Sequence, residues 1–494
     1  RVRRKATLKL IDPFCGDGRL IAWLLEELRL CIPSSTRLEI HLWDIDADAL
    51  AKARTRIEEL EVPWSISVSQ FCGDSFVNCA TYKSHFDIVI TNPPWERLKP
   101  DRRELARLSP VQVKAHTSWL RSAAQRIARD FPNAAPSRRF AGWGVNLARA
   151  GVELAFQLMS EFGIVGVVSP STLFADKTSR PLREWIFDNY QVHSAVHYPA
   201  ECRLFDDVDQ QTTTFVASGG SPESYSCKLG QFLGTKTRDC TITLSPSSLE
   251  ELDYCLPVHF SPLFLDLYSS LKDLPTLSQY ESSSTMPMWA GRELDETRSR
   301  PFLASKGSIP FVKGRHVQRY AYSLEGVQYI RCSKELVLPE STQFTRLVWR
   351  DVSRPNQARR MHAALLPPGL VTGNSLNVCH CWNGSQSRLL RLLGVFNSFV
   401  FEFMSRSLSA TSHMSLGTIR KCPMPDLGTS PMCRRLERLA GRLLSGDMKA
   451  QSKTDALVAR CYGLTRDELV AVLAAFPKCD PAYRAEVVSI YGKI

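Results

Sequence analysis

The segment Phe86–Trp95, which has the sequence FDIVITNPPW, constrains the fold more than any other part of the chain. An apolar, β-branched run from Ile88 to Ile90 predicts a short buried strand, and the two prolines that follow Asn92 end it. We therefore expect Asn92 at the carboxyl end of a strand. In an open parallel α/β sheet, ligands bind at that edge.

The Asn-Pro-Pro-Trp turn predicts a particular kind of ligand. Pro93 and Pro94 fix two φ angles and remove two N–H donors, so backbone carbonyls and the Asn92 amide oxygen remain to accept hydrogen bonds. Trp95 adds a flat aromatic face. This set suits a planar heterocycle with an exocyclic amino group, such as a nucleobase. The alternative is that the turn only terminates a strand.

The start of the chain predicts a second ligand-binding turn. An apolar strand at 8–11 leads into DPFCGDG at 12–18, and an amphipathic helix follows. A strand, a glycine-bearing turn and a helix N-terminus together form a half-site for an anionic ligand group.

The next two predicted strands also lead to acidic residues. The strand at 38–43 is followed by Asp44, whose carboxylate can accept hydrogen bonds from both hydroxyls of a ribose. We expect Asp46 to be the N-cap of the following helix. A third strand at 65–70 leads to Asp74.

In this order, the segments resemble the motifs of amino-group methyltransferases that use S-adenosylmethionine, with NPPW as the NPP[YFW] signature. The resemblance implies that S-adenosylmethionine is the cofactor, that Asp12 takes its ammonium and that Asp74 meets its adenine amino group. Ser75 stands where the family often has an aromatic residue. The implied site residues are Asp12, Phe14, Gly16, Gly18, Asp44, Asp74 and Ser75 for the cofactor, and Asn92, Pro93, Pro94 and Trp95 for catalysis.

Two further segments resemble motifs of the same family. Asn146, in an Asn-Leu pair ahead of a predicted helix, matches a motif that lies near the cofactor. The turn FDDV at 205–208, between predicted hairpin strands at 192–197 and 212–217, resembles the motif whose aromatic residue holds the far face of an extruded base. That residue is Phe205 here, and the alternative is that Phe205 only packs the hairpin.

The net charge of +12 is concentrated in two segments. Residues 99–149 contain 11 Lys and Arg against 3 Asp and Glu, and residues 285–425 contain 19 against 8. This distribution favours a polyanionic partner. The later segment resembles the target-recognition domain of type IIG restriction-modification methylases, which implies double-stranded DNA. The candidate residues for contacts with DNA or the target base are Phe205, Lys313, Arg315, Arg350 and Arg354. For Arg350 the alternative is a structural ion pair with Asp351 or another acid.

The resemblance implies an α/β fold in which a Rossmann-like S-adenosylmethionine-dependent methyltransferase domain with a mixed seven-stranded sheet comes first. An α+β target-recognition domain and a small helical segment follow. The predicted boundaries are 1–220 for the methyltransferase domain, 221–285 for a connecting segment, 286–425 for target recognition and 426–494 for the helical segment. Because Gly, Ser and Pro near 219–226 are typical of a linker, we expect the sheet to be complete before Gly219.

The remaining composition limits the class of protein. No run of about 18 or more apolar residues occurs, so we expect no membrane span and a cytoplasmic, prokaryotic location. The 15 cysteines form no CxxC pair, which favours a reducing compartment, and we predict no metal site. In the gamma class of the resembled enzymes another motif lies upstream of the first strand, where this chain has only seven residues. We expect that motif to be lost by truncation or replaced by another segment.

The predicted activity is site-specific methylation of N6 of a flipped adenine in duplex DNA, by a monomer that serves restriction-modification or phage defence. Three alternatives stay open. The chain could be the methylase part of a bifunctional type IIG restriction enzyme, with a nuclease upstream or in trans. It could instead modify cytosine N4, RNA or protein glutamine. It could also be a DNA-recognition subunit with an inactive methylase fold.

Overall fold

The computed structural model forms two compact units, residues 1–259 and 260–494. It describes residues 5–101, 105–135, 145–202, 204–205, 210–220, 225–232, 237–244, 249–250, 253–256, 267, 270–271, 273–283, 287–331, 336–353, 357–409 and 413–494. No helix in these ranges is both long and apolar enough to cross a membrane.

The first unit contains a nine-stranded mixed sheet within the described ranges, in the order β3-β2-β1-β4-β5-β7-β6-β8-β9. Strands β1 to β5 are mutually parallel, and β7 is antiparallel to both β5 and β6. The strands are β1 Thr7–Asp12, β2 Arg37–Asp44, β3 Ser65–Cys72, β4 Phe86–Thr91, β5 Met159–Pro170, β6 Tyr190–Tyr198, β7 Thr212–Gly219, β8 Tyr225–Phe232 and β9 Thr237–Leu244. The predicted α/β class and the first four strands are confirmed.

Six α-helices accompany this sheet in the described ranges. They are α1 Arg19–Leu28, α2 Ala47–Glu58, α3 Ser75–Asn78, α4 Pro110–Asp130, α5 Leu147–Leu158 and α6 Arg180–Asn189, with short 3-10 turns at Cys79–Tyr82, Ser171–Phe174, Lys177–Ser179 and Ala200–Cys202. Apolar residues of α1 and α2 share one core with β1 and β2, and α5 packs against β4 and β5. Asp46 is the N-cap of α2, as predicted, because its carboxylate accepts from the Asp48 and Ala49 N–H groups.

The prediction of seven strands, complete before Gly219, is wrong. Strand β8 pairs in parallel with β6, and β9 pairs antiparallel with β8, so the sheet continues to Leu244. Gly, Ser and Pro before β8 favour a linker locally, but the apolar positions Cys227 and Leu229 of β8 are buried, so the segment is part of the sheet. The four predicted domain boundaries otherwise stay predictions.

The second unit combines small sheets with helices. Its described sheets have the orders β10-β19-β16-β17, β11-β15-β12-β18 and β13-β14. The strands are β10 Met288–Gly291, β11 Leu303–Ala304, β12 Ile309–Val312, β13 Val317–Gln318, β14 Ala321–Tyr322, β15 Gln328–Ile330, β16 Arg346–Arg350, β17 Ala363–Leu366, β18 Val371–Thr372 and β19 Leu376–Cys381.

The helices of the second unit are mostly at its carboxyl end. They are α7 Leu277–Ser282, α8 Glu296–Ser299, α9 Gln386–Phe396, α10 Phe399–Ser407, α11 Leu416–Lys421, α12 Pro431–Leu444, α13 Gln451–Cys461, α14 Arg466–Ala474 and α15 Pro481–Tyr491, with 3-10 turns at Arg300–Phe302, Gly314–His316, Glu340–Gln343 and Met448–Ala450. One hydrophobic core joins these helices, except α8, to β10, β16 and β19. The target-recognition and helical segments predicted from the sequence therefore share a core.

Candidate functional site

Backbone hydrogen bonds join the carboxyl ends of β1, β2 and β3 into one edge. The Cys15 N–H donates to the Trp43 carbonyl at 2.9 Å, and the Gly73 N–H donates to the Asp44 carbonyl at 2.9 Å. The Asp44 side chain adds to this network, because one carboxylate oxygen accepts from the Gly16 N–H at 2.8 Å and the other from the Asp46 N–H at 3.0 Å. Asp44 therefore holds the glycine turn against the end of β2.

The glycine turn needs residues without a Cβ. Gly16 and Gly18 have φ angles of 49° and 80°, which other residues rarely adopt. A Cβ on Gly18 would also lie 2.8 Å from the Ala53 Cα atom. Gly18 is the N-cap of α1 and provides no side-chain cap, so the turn brings an uncapped helix N-terminus to this edge.

The Asp12 carboxylate, at the end of β1, is completely buried. Its Oδ1 accepts from the Phe14 N–H at 3.1 Å, whereas its Oδ2 has no hydrogen-bond partner in the described part of the chain. Burial raises the pKa of Asp12 to about 7, although the hydrogen bond from the Phe14 N–H partly opposes this change. A buried carboxylate oxygen without a donor fits a cationic group such as the ammonium of S-adenosylmethionine.

Asp74 and Ser75 follow β3 and have different surroundings. The Asp74 carboxylate accepts from the Phe76 N–H at 3.0 Å through Oδ1 and from Arg126 Nη2 at 2.7 Å through Oδ2. Ser75 is buried and donates to the Pro13 carbonyl at 2.6 Å, so its hydroxyl joins the β3 loop to the glycine turn. The structure thus gives Ser75 a positioning contact, while its predicted contact with the cofactor stays a prediction.

Sequence reasoning missed two residues of this edge. Phe76 packs against Phe14, with ring centroids 5.3 Å apart, and is the aromatic residue nearest to Ser75 in the chain. An aromatic residue one position after Ser75 was the available signal. The sequence did not indicate the contact of Arg126 with Asp74, because the two residues are 52 positions apart in the chain.

The Asn-Pro-Pro-Trp turn lies at the end of β4, beside β1. The Asn92 Oδ1 and Trp95 Nε1 atoms are buried, and neither has a hydrogen-bond partner among residues whose structure is described. Pro93 packs so closely on α5 that a Cβ at Gly151 would lie 2.4 Å from the Pro93 Cβ. Pro93 and α5 therefore hold the turn, while polar atoms of Asn92 and Trp95 lack partners.

The segments on both sides of α4 meet next to this turn. The Leu98 N–H donates to the Val145 carbonyl at 3.0 Å, and the Leu147 N–H donates to the Glu96 carbonyl at 2.9 Å. Asn146, between them, is the N-cap of α5 and accepts from the Arg149 N–H at 3.1 Å. Asn146 thus has a structural function at the position where the resemblance implies a cofactor motif.

The two aromatic residues expected to hold the target base contact each other. The rings of Trp95 and Phe205 have centroids 5.4 Å apart and planes at 80°, an edge-to-face arrangement. A base between two parallel rings needs about 7 Å, or two contacts of about 3.5 Å each. The rings must therefore separate to hold a base in that way. Residues 206–208 of the FDDV turn lie outside the described residues.

The basic candidates in the second unit have different environments. The Lys313 ammonium donates to Gln328 Oε1 at 3.1 Å and lies 3.7 Å from a carboxylate oxygen of Glu296. Arg315 is exposed, and its Nε donates to His316 Nε2 at 3.1 Å. Arg354 lies outside the described residues.

Arg350 has a structural contact, but its partner differs from the expected one. Its Nε donates to the Val317 carbonyl at 2.6 Å, and burial lowers the pKa of its guanidinium. Asp351 instead pairs with Arg292 at 2.7 Å and with His413 at 2.6 Å. Within the described residues Arg350 thus contacts a carbonyl and no acid, so the expected ion pair is wrong, while its contact with DNA stays a prediction.

Comparisons with known proteins identify related folds. No protein-family model matches the chain, and no curated protein matches it significantly. The type IIL restriction-modification enzyme MmeI, solved in complex with DNA, matches over 95% of this chain and 73% of its own, with a TM-score of 0.51 and 10% identity. The chain shares its fold with MmeI.

Two further solved structures are similar over parts of their lengths. The type IIG restriction endonuclease BpuSI matches over 100% of this chain and 64% of its own, with a TM-score of 0.42 and 13% identity. A protein from Listeria monocytogenes, assigned to the class I S-adenosylmethionine-dependent methyltransferases, matches over 45% of this chain and 58% of its own, with a TM-score of 0.31 and 14% identity. This chain therefore spans less than two thirds of either protein.

Proposed function

We propose that this protein transfers a methyl group from S-adenosylmethionine to N6 of an adenine flipped out of duplex DNA, in a restriction-modification or phage-defence system. The proposal rests on one observation. Asp12 Oδ2 and Asn92 Oδ1 are buried acceptor atoms without a partner in the described ranges, and they lie at the carboxyl ends of neighbouring parallel strands. One suits the cationic end of the cofactor, and the other suits a substrate amine.

The residues present fit the cofactor at three strand ends. Asp12 would hold the ammonium, Asp44 the ribose hydroxyls and Asp74 the adenine amino group. The open space beside Gly16 would allow close backbone approach, while Gly18 lets the turn pack against Ala53 of α2. When bound, the cofactor supplies an electrophilic methyl group on a sulfonium.

The protein's contribution to the reaction is to bind and orient the amine. The lone pair of an aromatic amine is delocalised into the ring, so the amine is a poor nucleophile. Acceptance of its two N–H bonds by the Asn92 side-chain oxygen and the Pro93 carbonyl would favour a tetrahedral nitrogen and orient its lone pair. In duplex DNA the base must leave the stack to reach these groups, with Trp95 and Phe205 as its aromatic contacts.

Substitution of Asn92 tests the proposal. We expect Asn92→Ala to lower methyl transfer to DNA by about 100-fold or more, because the amine loses its acceptor. Binding of S-adenosylmethionine should change by less than about twofold, because Asn92 lies on a different strand end from the acids that would hold the cofactor. Calorimetry measures binding, and transfer of labelled methyl groups to DNA measures activity.

The control is Asn189→Ala, at an exposed residue at the end of α6, which should leave both measurements unchanged. An Asn92→Ala protein that binds S-adenosylmethionine about tenfold more weakly and still methylates DNA would contradict the assignment. Modified-base sequencing of DNA from cells that express the wild type identifies the base and its sequence context. Methylcytosine in place of N6-methyladenine would correct the proposed substrate.

A further inference from the structure

Helix α4, between the Asn-Pro-Pro-Trp turn and α5, packs with its carboxyl end next to Asp74 in the loop after β3. It has 21 residues and begins with a capping box formed by Ser109 and Gln112. Just after it, Phe131 is almost fully buried and packs edge-to-face on Phe76, with ring centroids 5.6 Å apart. Gln157 of α5 also donates to the carbonyl of Asp130 at 3.1 Å. The last turns of α4 are therefore held close to Asp74.

One arginine of α4 contacts this acid directly. Arg126 Nη2 lies 2.7 Å from Asp74 Oδ2, while Asp74 Oδ1 caps α3 through the Phe76 N–H. Each carboxylate oxygen can accept more than one hydrogen bond, so the two contacts fix the orientation of Asp74 and leave it able to accept another donor. The Arg126 Nε atom is buried and has no partner within the described structure. Arg129, one turn later, is exposed and pairs with its neighbour Asp130.

We propose that Arg126 is a positioning residue of the cofactor site, which holds the Asp74 carboxylate in the orientation that selects an amino group on the cofactor's purine ring. This inference rests on the proposed function. A carboxylate without a proton only accepts hydrogen bonds, so it favours a purine with a 6-amino group over one with a 6-oxo group. About 39% of the Asp74 side chain is exposed, and the hydrogen bonds from Arg126 and from the Phe76 N–H are the contacts that restrict its rotation in the described structure.

The experiment compares S-adenosylhomocysteine with S-inosylhomocysteine, in which a 6-oxo group and an N1–H replace the 6-amino group and the unprotonated N1 of adenine. Calorimetry on the full chain measures both dissociation constants for the wild type, Arg126→Ala, Arg126→Lys, Asp74→Asn and the control Arg129→Ala. We expect the wild type and Arg129→Ala to prefer the adenosyl ligand by about tenfold or more, and Arg126→Ala to reduce that preference to about twofold. Arg126→Lys should restore part of the preference, because it keeps a positive donor. Arg126→Ala should add nothing further to Asp74→Asn.

A purely structural role of Arg126 gives a different result. If Arg126 only attaches α4, Arg126→Ala should weaken both ligands equally and lower the melting temperature, and that outcome overturns the inference. Unchanged preference in Arg126→Ala, or additive effects with Asp74→Asn, also overturns it. Failure of the wild type to bind either ligand would overturn the proposed function itself, whereas wild-type binding without any difference in Arg126→Ala overturns only the role of Arg126.

Discussion

At the scale of single residues, four of the buried polar atoms without partners in the described structure lie at the ends of β1 and β4. Asp12 Oδ2, Thr91 Oγ1, Asn92 Oδ1 and Trp95 Nε1 all lack a hydrogen bond to the described residues. Buried polar groups in folded proteins are almost always hydrogen-bonded, because an unpaired one costs about 1–3 kcal/mol. Four such atoms at two neighbouring strand ends agree with the ligand site proposed there.

The raised pKa of Asp12 predicts how cofactor affinity depends on pH. Folding raises the pKa of Asp12 from 3.8 to about 7, and a cationic ligand binds its ionised form. Affinity for S-adenosylhomocysteine should therefore rise by about fivefold as the pH rises from about 6 to about 7. The Asp12→Asn variant should bind S-adenosylhomocysteine weakly, and its affinity should not rise with pH. Calorimetry at several pH values measures this, with Asp46→Asn as a control that keeps the helix cap and the pH dependence.

The raised pKa of Asp12 also predicts how the folding stability of the unliganded protein depends on pH. Because the folded pKa lies above the ordinary one, the contribution of Asp12 is fully present below pH 3.8 and is lost as the pH rises through about 7. Unliganded Asp12→Asn should thus be at least as stable as the wild type at neutral pH. If Asp12→Asn retains the pH-dependent affinity of the wild type for S-adenosylhomocysteine, another group holds the ligand cation.

At the scale of elements, several arginines of the second unit stabilise its core. Glu402 on α10 is fully buried and pairs with Arg359 at 2.7 Å and with Arg406 at 2.7 Å. Arg346 is also fully buried, beside Glu293, and Arg391 pairs with Glu437. Part of the positive charge of residues 285–425 is therefore buried and paired, and is not exposed to a polyanion. The exposed basic residues of this segment that have no described ion pair are Arg298, Arg300, Lys306, Arg315 and Arg331.

The buried Glu402 cluster gives a stability prediction. Burial by itself would raise the pKa of Glu402, but Arg359 and Arg406 outweigh that effect and lower it from 4.5 to about 2. Glu402→Gln should lower the free energy of unfolding by about 3–5 kcal/mol, because it leaves two mostly buried guanidinium groups without their carboxylate. Urea unfolding measures the loss. Asp447→Asn, in an exposed pair with Arg442, should leave the transition almost unchanged.

The pH dependence of the same cluster provides an independent check. A lowered pKa means that the stabilisation is present above pH 4.5 and is lost as the pH falls through about 2. Unfolding of the wild type should show this loss, and unfolding of Glu402→Gln should lack it. Equal acid sensitivity of both proteins would assign the loss to other groups.

At the scale of the whole molecule, the first unit extends beyond the boundary that the sequence indicates. Strands β8 and β9 lie between residues 221 and 259, and β8 covers the edge of β6. Exposed strand edges promote association, and the buried side chains of β8 would leave part of the core open if they were removed. The choice of fragment end should therefore decide whether the first unit folds alone.

Two fragments test this boundary. Residues 1–259 should unfold cooperatively and bind S-adenosylhomocysteine, whereas residues 1–220 should aggregate or melt at a clearly lower temperature because β8 and β9 are missing. Thermal circular dichroism measures the melting temperature, and calorimetry measures binding of S-adenosylhomocysteine. Equal melting and equal binding by the two fragments would show that the last two strands are dispensable and would restore the boundary near 220.

The amino-acid sequence alone determined the features that depend on neighbouring residues. Short apolar runs ended by Gly, Pro or acids predicted β1 to β4, and the helix cap at Asp46 follows from local hydrogen bonding. Local signals also end helices, because the N-cap Ser398 separates α9 from α10.

Tertiary structure decided what depends on residues far apart in the chain. It paired Asp74 with Arg126, placed Trp95 edge-to-face with Phe205, extended the sheet through β8 and β9, and buried arginines that the charge pattern had suggested for DNA. Strand order and burial are set by long-range packing, in which the loss of water from apolar surface outweighs local preference. The composition of one segment does not indicate which distant segment will pack against it.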